Sequence, residues 1–158
     1  MLAVDGPSGA GKSTLAADLV RALGSGTALV STDAFATWDD PVAWWPRLEE
    51  GVLQPLALGR PGEYRRMDWT SGAPRPGVLV PVEVPEVLVL EGVSAGRRAM
   101  RSRLSHLCWV AGGSAAERLE RAVARDGESS RAQLRRWQLF ERGWFAVDGT
   151  RGAAGTVV

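Results

Sequence analysis

The 158-residue sequence has one cysteine, one histidine and one lysine, and no excess of either charge. A lone cysteine, Cys108, excludes an internal disulfide and points to a reducing compartment, so a cytoplasmic protein is expected. The lone histidine, His106, opens a predicted strand with no acidic partner beside it, which argues against a metal site or a catalytic triad. Because Lys12 is the only lysine, no Asn-Lys-x-Asp element exists, and a guanine-specific switch is excluded. The 19 basic and 18 acidic residues leave a net charge of +1, so neither nucleic acid nor a membrane surface is an expected partner. No apolar run approaches the roughly 20 residues of a membrane span. The first strand pattern starts at Leu2, so no signal peptide is expected.

What the sequence does have is Gly6-Pro7-Ser8-Gly9-Ala10-Gly11-Lys12-Ser13-Thr14, a full G-x-x-x-x-G-K-[ST] match between an apolar strand and a helical pattern. Glycine lets consecutive backbone N–H groups turn inward around phosphate oxygens where a Cβ would intrude. Lys12 is expected to reach the β- and γ-phosphates, and the Ser13 hydroxyl to ligate Mg²⁺. The following helix adds the positive end of its dipole to the same site. All other basic residues are arginine, so the one slim, point-charge ammonium stands where this chemistry needs it. A nucleoside triphosphate site over Gly6 to Thr14 is the reading.

Short apolar runs alternate with helical patterns, which predicts an α/β fold with a central parallel sheet of about five strands in one domain over 1–158. Leu2–Val4, Thr27–Ser31, Val87–Leu90, Leu107–Ala111 and Thr156–Val158 are the predicted strands. A helix carries Leu15, Ala16, Leu19, Val20 and Leu23 and ends at Gly24. A further helix is predicted to start at Asp40-Pro41 and to be short or kinked at Pro46. Residues 59–85, rich in Pro, Gly and Arg, read as a loop-rich excursion with a hairpin of Tyr64–Trp69 against Val78–Val82. Ser114-x-x-Glu117 is a capping box opening a helix through Ala124, and another helix runs from about Ser130 to Phe145.

In open parallel sheets, ligands bind beyond the carboxyl ends of the strands. Asp33 falls there beside the phosphate loop, placed to take a proton from an attacking hydroxyl. Glu91 ends the Val-Leu-Val-Leu run at the position of a metal-assisting acid, while Asp39 and Asp40 read as caps. Arg118, Arg121 and Arg125 share one helix face, and Arg131, Arg135 and Arg136 follow Gly127. Planar guanidinium groups offset the charge that phosphoryl transfer spreads over oxygens, and a mobile arginine-bearing lid excludes water. Arg121 and Arg125 are the expected phosphate contacts. Trp38, Trp44, Trp45 and Trp69 lie in segments that enclose an acceptor, as an aromatic wall or as ordinary core.

Together these elements resemble the uridine kinase and phosphoribulokinase-like branch of phosphate-loop kinases. The resemblance rests on the phosphate loop, Ser31-Thr32-Asp33-Ala34-Phe35, Asp40-Pro41, Val87 to Gly92, and Arg121 to Asp126. It implies a three-layer P-loop NTPase fold with an arginine lid over about 121–136, Asp33 as catalytic aspartate and Glu91 on the metal side. It also implies ATP and Mg²⁺ as donor and metal, and transfer to the alcohol group of a small-molecule acceptor, nucleoside-like or another small metabolite. Tyr64, Arg66, Asp68 and Trp69 then occupy the acceptor segment, although Tyr64-Arg65-Arg66-Met67-Asp68 breaks the family's Tyr-Asp pair. The lid reads Asp126-Gly127-Glu128-Ser129-Ser130-Arg131 in place of Arg-Gly-Arg. A catalytically silent ATP-binding module that regulates a partner is the competing reading.

Overall fold

The alternation of apolar runs and helices resolves into a five-stranded parallel sheet with helices on both faces. The structure is a computed structural model and describes residues 1–158. In chain order β1 (Leu2–Asp5) leads through the phosphate loop into α1 (Lys12–Leu23) and β2 (Thr27–Ser31). Then come α2 (Trp45–Leu48), α3 (Gln54–Ala57) and a hairpin of β3 (Gly62–Asp68) with β4 (Arg75–Val82). β5 (Val87–Glu91), β6 (His106–Trp109), α4 (Ala115–Asp126), α5 (Arg131–Asp148), α6 (Thr150–Ala153) and β7 (Thr156–Val157) complete it.

The sheet order is β2-β5-β1-β6-β7, and every pairing is parallel. β1 and β5 are central, so both faces of each must be apolar, and Val4, Val89 and Leu90 are fully buried. Val4, Val89 and Val110 face Ala16 of α1 on one side of the sheet. Ala3, Leu90 and Leu107 face the other, packed with Phe35, Trp44, Leu48 and Val52. β1 and β5 lie side by side, and their following connections leave in opposite directions, toward β2 and toward β6. The sheet's switch point, where a crevice opens above the strand ends, is therefore the β1–β5 boundary.

Two local expectations are corrected, the helix start and the hairpin length, and one open reading, that of Trp44, is decided. No helix starts at Pro41: Asp40 accepts the Ala43 N–H at 2.7 Å in a turn, and α2 begins at Trp45. Pro46 sits in the first turn of α2, where its missing N–H costs nothing, and the chain widens through a π-turn over Glu49–Leu53 into α3. Trp44 is 1% exposed and stacks on Phe35 at 5.4 Å, so it is core and not a pocket wall. The hairpin is longer than its apolar residues suggested, with a register shift between Arg65 and Met67. No helix is long and apolar enough to cross a membrane.

Candidate functional site

The phosphate loop follows β1 directly, and its glycines adopt backbone shapes that L side chains avoid. Gly9 has φ +72°, and a Cβ there would collide with the Arg118 carbonyl of α4. Gly11 (φ 97°) is the left-handed residue from which α1 starts. Lys12 is 8% exposed, and its Nζ donates to the Pro7 carbonyl at 3.0 Å, so the ammonium closes across the loop. Ser13 Oγ donates to Glu91 Oε1 at 3.1 Å, which joins the loop to the end of β5. Ala10 is buried against Val4 and Val110, while Thr14 is exposed in the first turn of α1. Gly6 bends the chain against the Val110 carbonyl.

Glu91 is 5% exposed, and its carboxyl titrates above its usual range. Burial is the main cause, the nearby Asp33 charge adds to it, and Lys12, Ser31 and Ser13 oppose it. Asp33 lies in a short 3₁₀ turn over Thr32–Ala34, capped by the Ser31 hydroxyl, which accepts the Asp33 N–H at 3.3 Å. The Asp33 side chain is exposed beside Glu91, and no side-chain partner in the chain engages its carboxylate. Arg125 feels both Asp33 and Glu91, though its strongest contact is a bidentate pair with Asp126 at 2.6 Å. Lys12, Ser13, Glu91 and Asp33 thus converge on the carboxyl ends of β1, β2 and β5.

Two acids that sequence reasoning passed over also hold this loop. Asp5, the last residue of β1, is fully buried and accepts backbone N–H groups from Gly6 (2.7 Å), Ser94 (3.1 Å) and Gly96 (2.8 Å). Burial pushes its carboxyl up to about 7, against the pull of those N–H groups and of Lys12. Its strand-end position was the available signal. Glu141 of α5 is 2% exposed, and one oxygen, Oε2, accepts both the Ser8 N–H at 2.9 Å and the Ser8 hydroxyl at 2.7 Å. Burial raises its carboxyl too. No local pattern marked Glu141, because its partner lies 133 residues away. The Ser8 N–H and hydroxyl are therefore both taken up by α5.

The acceptor segment is brought only partly to the strand ends. Trp69 Nε1 donates to the Asp33 carbonyl at 3.1 Å. Trp38 meets Trp69 edge-on at 5.0 Å and Trp137 at 6.0 Å, so an aromatic wall of three elements flanks Asp33. Tyr64 packs against Phe35 at 4.9 Å, half-buried, with its hydroxyl titrating high because of that burial. Arg66 is exposed on β3, and Asp68 turns to the Thr70 N–H at the hairpin tip, which holds its carboxyl low. Arg121 donates from Nε to the Gly9 carbonyl at 2.8 Å and also bonds the Gly112 carbonyl, buttressing the loop from outside. Arg131 pairs with Glu120 and Glu128 around the Gly127 turn.

No protein-family model matches the chain, and no curated protein matches it in sequence. Solved structures do match. One from Bacillus stearothermophilus, described as a possible uridine kinase, superposes with a TM-score of 0.69 at 15% identity, over 99% of this chain and 86% of that one. Another from Silicibacter sp. TM1040, described provisionally as a fructose transport system kinase, superposes at 0.64 and 19% identity, over 99% and 88%. The likeness establishes the fold. It is the three-layer α/β architecture of phosphate-loop NTPases.

Proposed function

We propose that this chain is an ATP-dependent kinase of small molecules, passing the γ-phosphate of Mg-ATP to a hydroxyl held beside Asp33. The observation that carries the reading is convergence. Lys12, the Ser13–Glu91 pair and the unpartnered Asp33 carboxylate meet at the ends of three adjacent strands. The residues present suit a magnesium-bound triphosphate: a glycine-shaped cradle, a buried ammonium, and a hydroxyl bonded to a buried carboxylate. Ser13 and Glu91 would hold the ion, which when bound supplies charge neutralisation at the β- and γ-oxygens.

Asp33 takes the acceptor proton as the hydroxyl oxygen bonds to the γ-phosphorus; the bond to the bridging oxygen breaks, and ADP leaves. Lys12 stabilises charge on the transferring group, and Arg125, released from its pair with Asp126, would add a second cation to it. The Trp69–Trp38 wall favours an acceptor with a ring face, nucleoside-like or sugar-like.

The test is ADP release from Mg-ATP across nucleosides, sugars and small hydroxylated metabolites, with Asp33→Ala as control. Release stimulated by one acceptor and abolished in the variant, with ATP still bound, is the expected outcome. Phosphotransfer that survives Asp33→Ala overturns the mechanism. Tight ATP binding with no stimulated turnover supports a silent regulatory module instead.

A further inference from the structure

Beside the phosphate loop, at the carboxyl end of β6, a cleft of about 710 Å³ opens between the first turn of α4 and the middle of α5, with Pro7, Ala111 and Gly113 at its edge. It lies over Trp109, which shares a sheet face with Ala3 and Leu107, opposite the face that α1 covers. Arg118, Arg135, Arg142 and Arg151 line it, and none of the four is in a salt bridge. The one acid in its wall is Glu141, already engaged through Oε2 with Ser8. Trp109 and Phe145, edge-on at 4.7 Å, form an apolar ring surface beside Leu139, which is 60% exposed.

Two polar atoms in this wall are buried without a partner, Arg118 Nε and Glu141 Oε1. Buried polar atoms in folded proteins nearly always find one, because an unmade hydrogen bond leaves the desolvation cost uncompensated. Here a donor and an acceptor are both left over, against the same cleft.

We propose that the cleft is a second ligand site, which takes a small organic anion bearing a flat apolar part and a hydrogen-bond donor. Guanidinium groups without carboxylate partners receive the anionic group. The Trp109–Phe145 surface receives the ring, and Glu141 Oε1 receives the donor. The site adjoins the triphosphate cradle on the β6 side, sharing Pro7 with it, whereas the cradle opens from the ends of β1 and β5. Glu141 belongs to both, since its other oxygen holds Ser8 of the phosphate loop. Occupancy of either site therefore shifts the affinity of the other without excluding it. The coupling rests on the triphosphate site proposed above, whereas binding of the probe and its loss in the variant do not, so the two readings fail separately.

Anilinonaphthalene sulfonate carries all three features and fluoresces when its rings leave water. The full chain is titrated with it, with and without saturating Mg-ATP, alongside the Arg135→Glu/Arg142→Glu variant, whose two sites are exposed. One equivalent should bind, weakened at least about tenfold in the double variant with Tm unchanged. Mg-ATP should move the affinity to a plateau and no further. Should the double variant melt lower, Arg151→Glu at the other rim repeats the comparison. Affinity indifferent to these reversals, binding without a defined stoichiometry, or complete displacement by Mg-ATP overturns the proposal.

Discussion

Lys12 and Ser13 do different work from the residues around them. Lys12 is a compact ammonium buried in the loop, and arginine, although equally charged, has a planar fork too wide for that space. Lys12→Ala and Lys12→Arg should both lower kcat/KM by about 10²–10³, as loss of one transition-state donor does in other enzymes. The check is steady-state kinetics on whichever acceptor the screen finds. Glu141 acts through Ser8, so its expected signature is a split between KM and kcat. Both Ser8 bonds reach one oxygen, Oε2, which glutamine can reproduce and alanine cannot. Glu141→Ala should raise KM for ATP about tenfold with kcat little changed, the scale of a lost charged hydrogen bond, while Glu141→Gln stays near wild type. Equal effects of the two variants would remove the positioning role. Glu91 is held above its ordinary 4.5 by burial and by Asp33, so lowering the pH protonates it earlier than a free glutamate. In a carboxyl NMR titration Glu91 should therefore ionise above pH 4.5, with its midpoint moving down in Asp33→Asn, because the neighbouring charge that raises Glu91 is gone.

At the level of elements, α4 and its flanking turn carry the arginines. Ser114 and Glu117 form a complete capping box, so Ser114→Ala should destabilise by ~1 kcal/mol, read as a fall in Tm. Beyond α4, Gly127 (φ 89°) breaks the helix, and Arg131 spans Glu120 and Glu128 across the break. Those carboxylates are mostly exposed, so the pairs are screened and contribute little to stability. Arg131→Ala should leave Tm almost unchanged and speed hydrogen exchange at Glu128–Ser130, as expected of a turn that opens and closes. The hairpin packs on the Thr32–Ala34 turn through Tyr64 and Phe35, and Trp69 adds a bond to the Asp33 carbonyl, so β3–β4 forms one wall of the candidate site.

For the molecule as a whole, Asp5 links stability to pH. In the unfolded chain its carboxyl titrates near 3.8, and in the folded chain at about 7. Between those values the folded state holds the extra proton, so raising the pH through that window favours unfolding. The contribution is fully present below 3.8 and is lost as the pH passes 7. Wild-type Tm should fall across that interval by more than that of Asp5→Ala. The variant itself should be less stable at every pH, because the Gly6, Ser94 and Gly96 N–H groups lose their acceptor.

The place of Gly6 to Thr14 at the junction of β1 and α1 was readable in advance because the motif is contiguous and its glycines mark the turn. The same holds for β1 and β5, whose apolar runs fit a strand covered on both faces, and for the capping box at Ser114. Asp33 and Glu91 were legible because strand ends in a parallel sheet face one crevice. What the local sequence did not carry is every contact made across the fold. Trp44 looks the same in sequence whether it lines a pocket or fills a core, and only packing against Phe35 decides it. The Ser8–Glu141 bond joins residues 133 positions apart, and the cleft behind it exists because α5 crosses β6 at Trp109. Motif and periodicity are local constraints, set by backbone geometry and side-chain chemistry. Pairing of buried polar groups is global, because a desolvated carboxylate takes its partner from whatever the fold brings within reach.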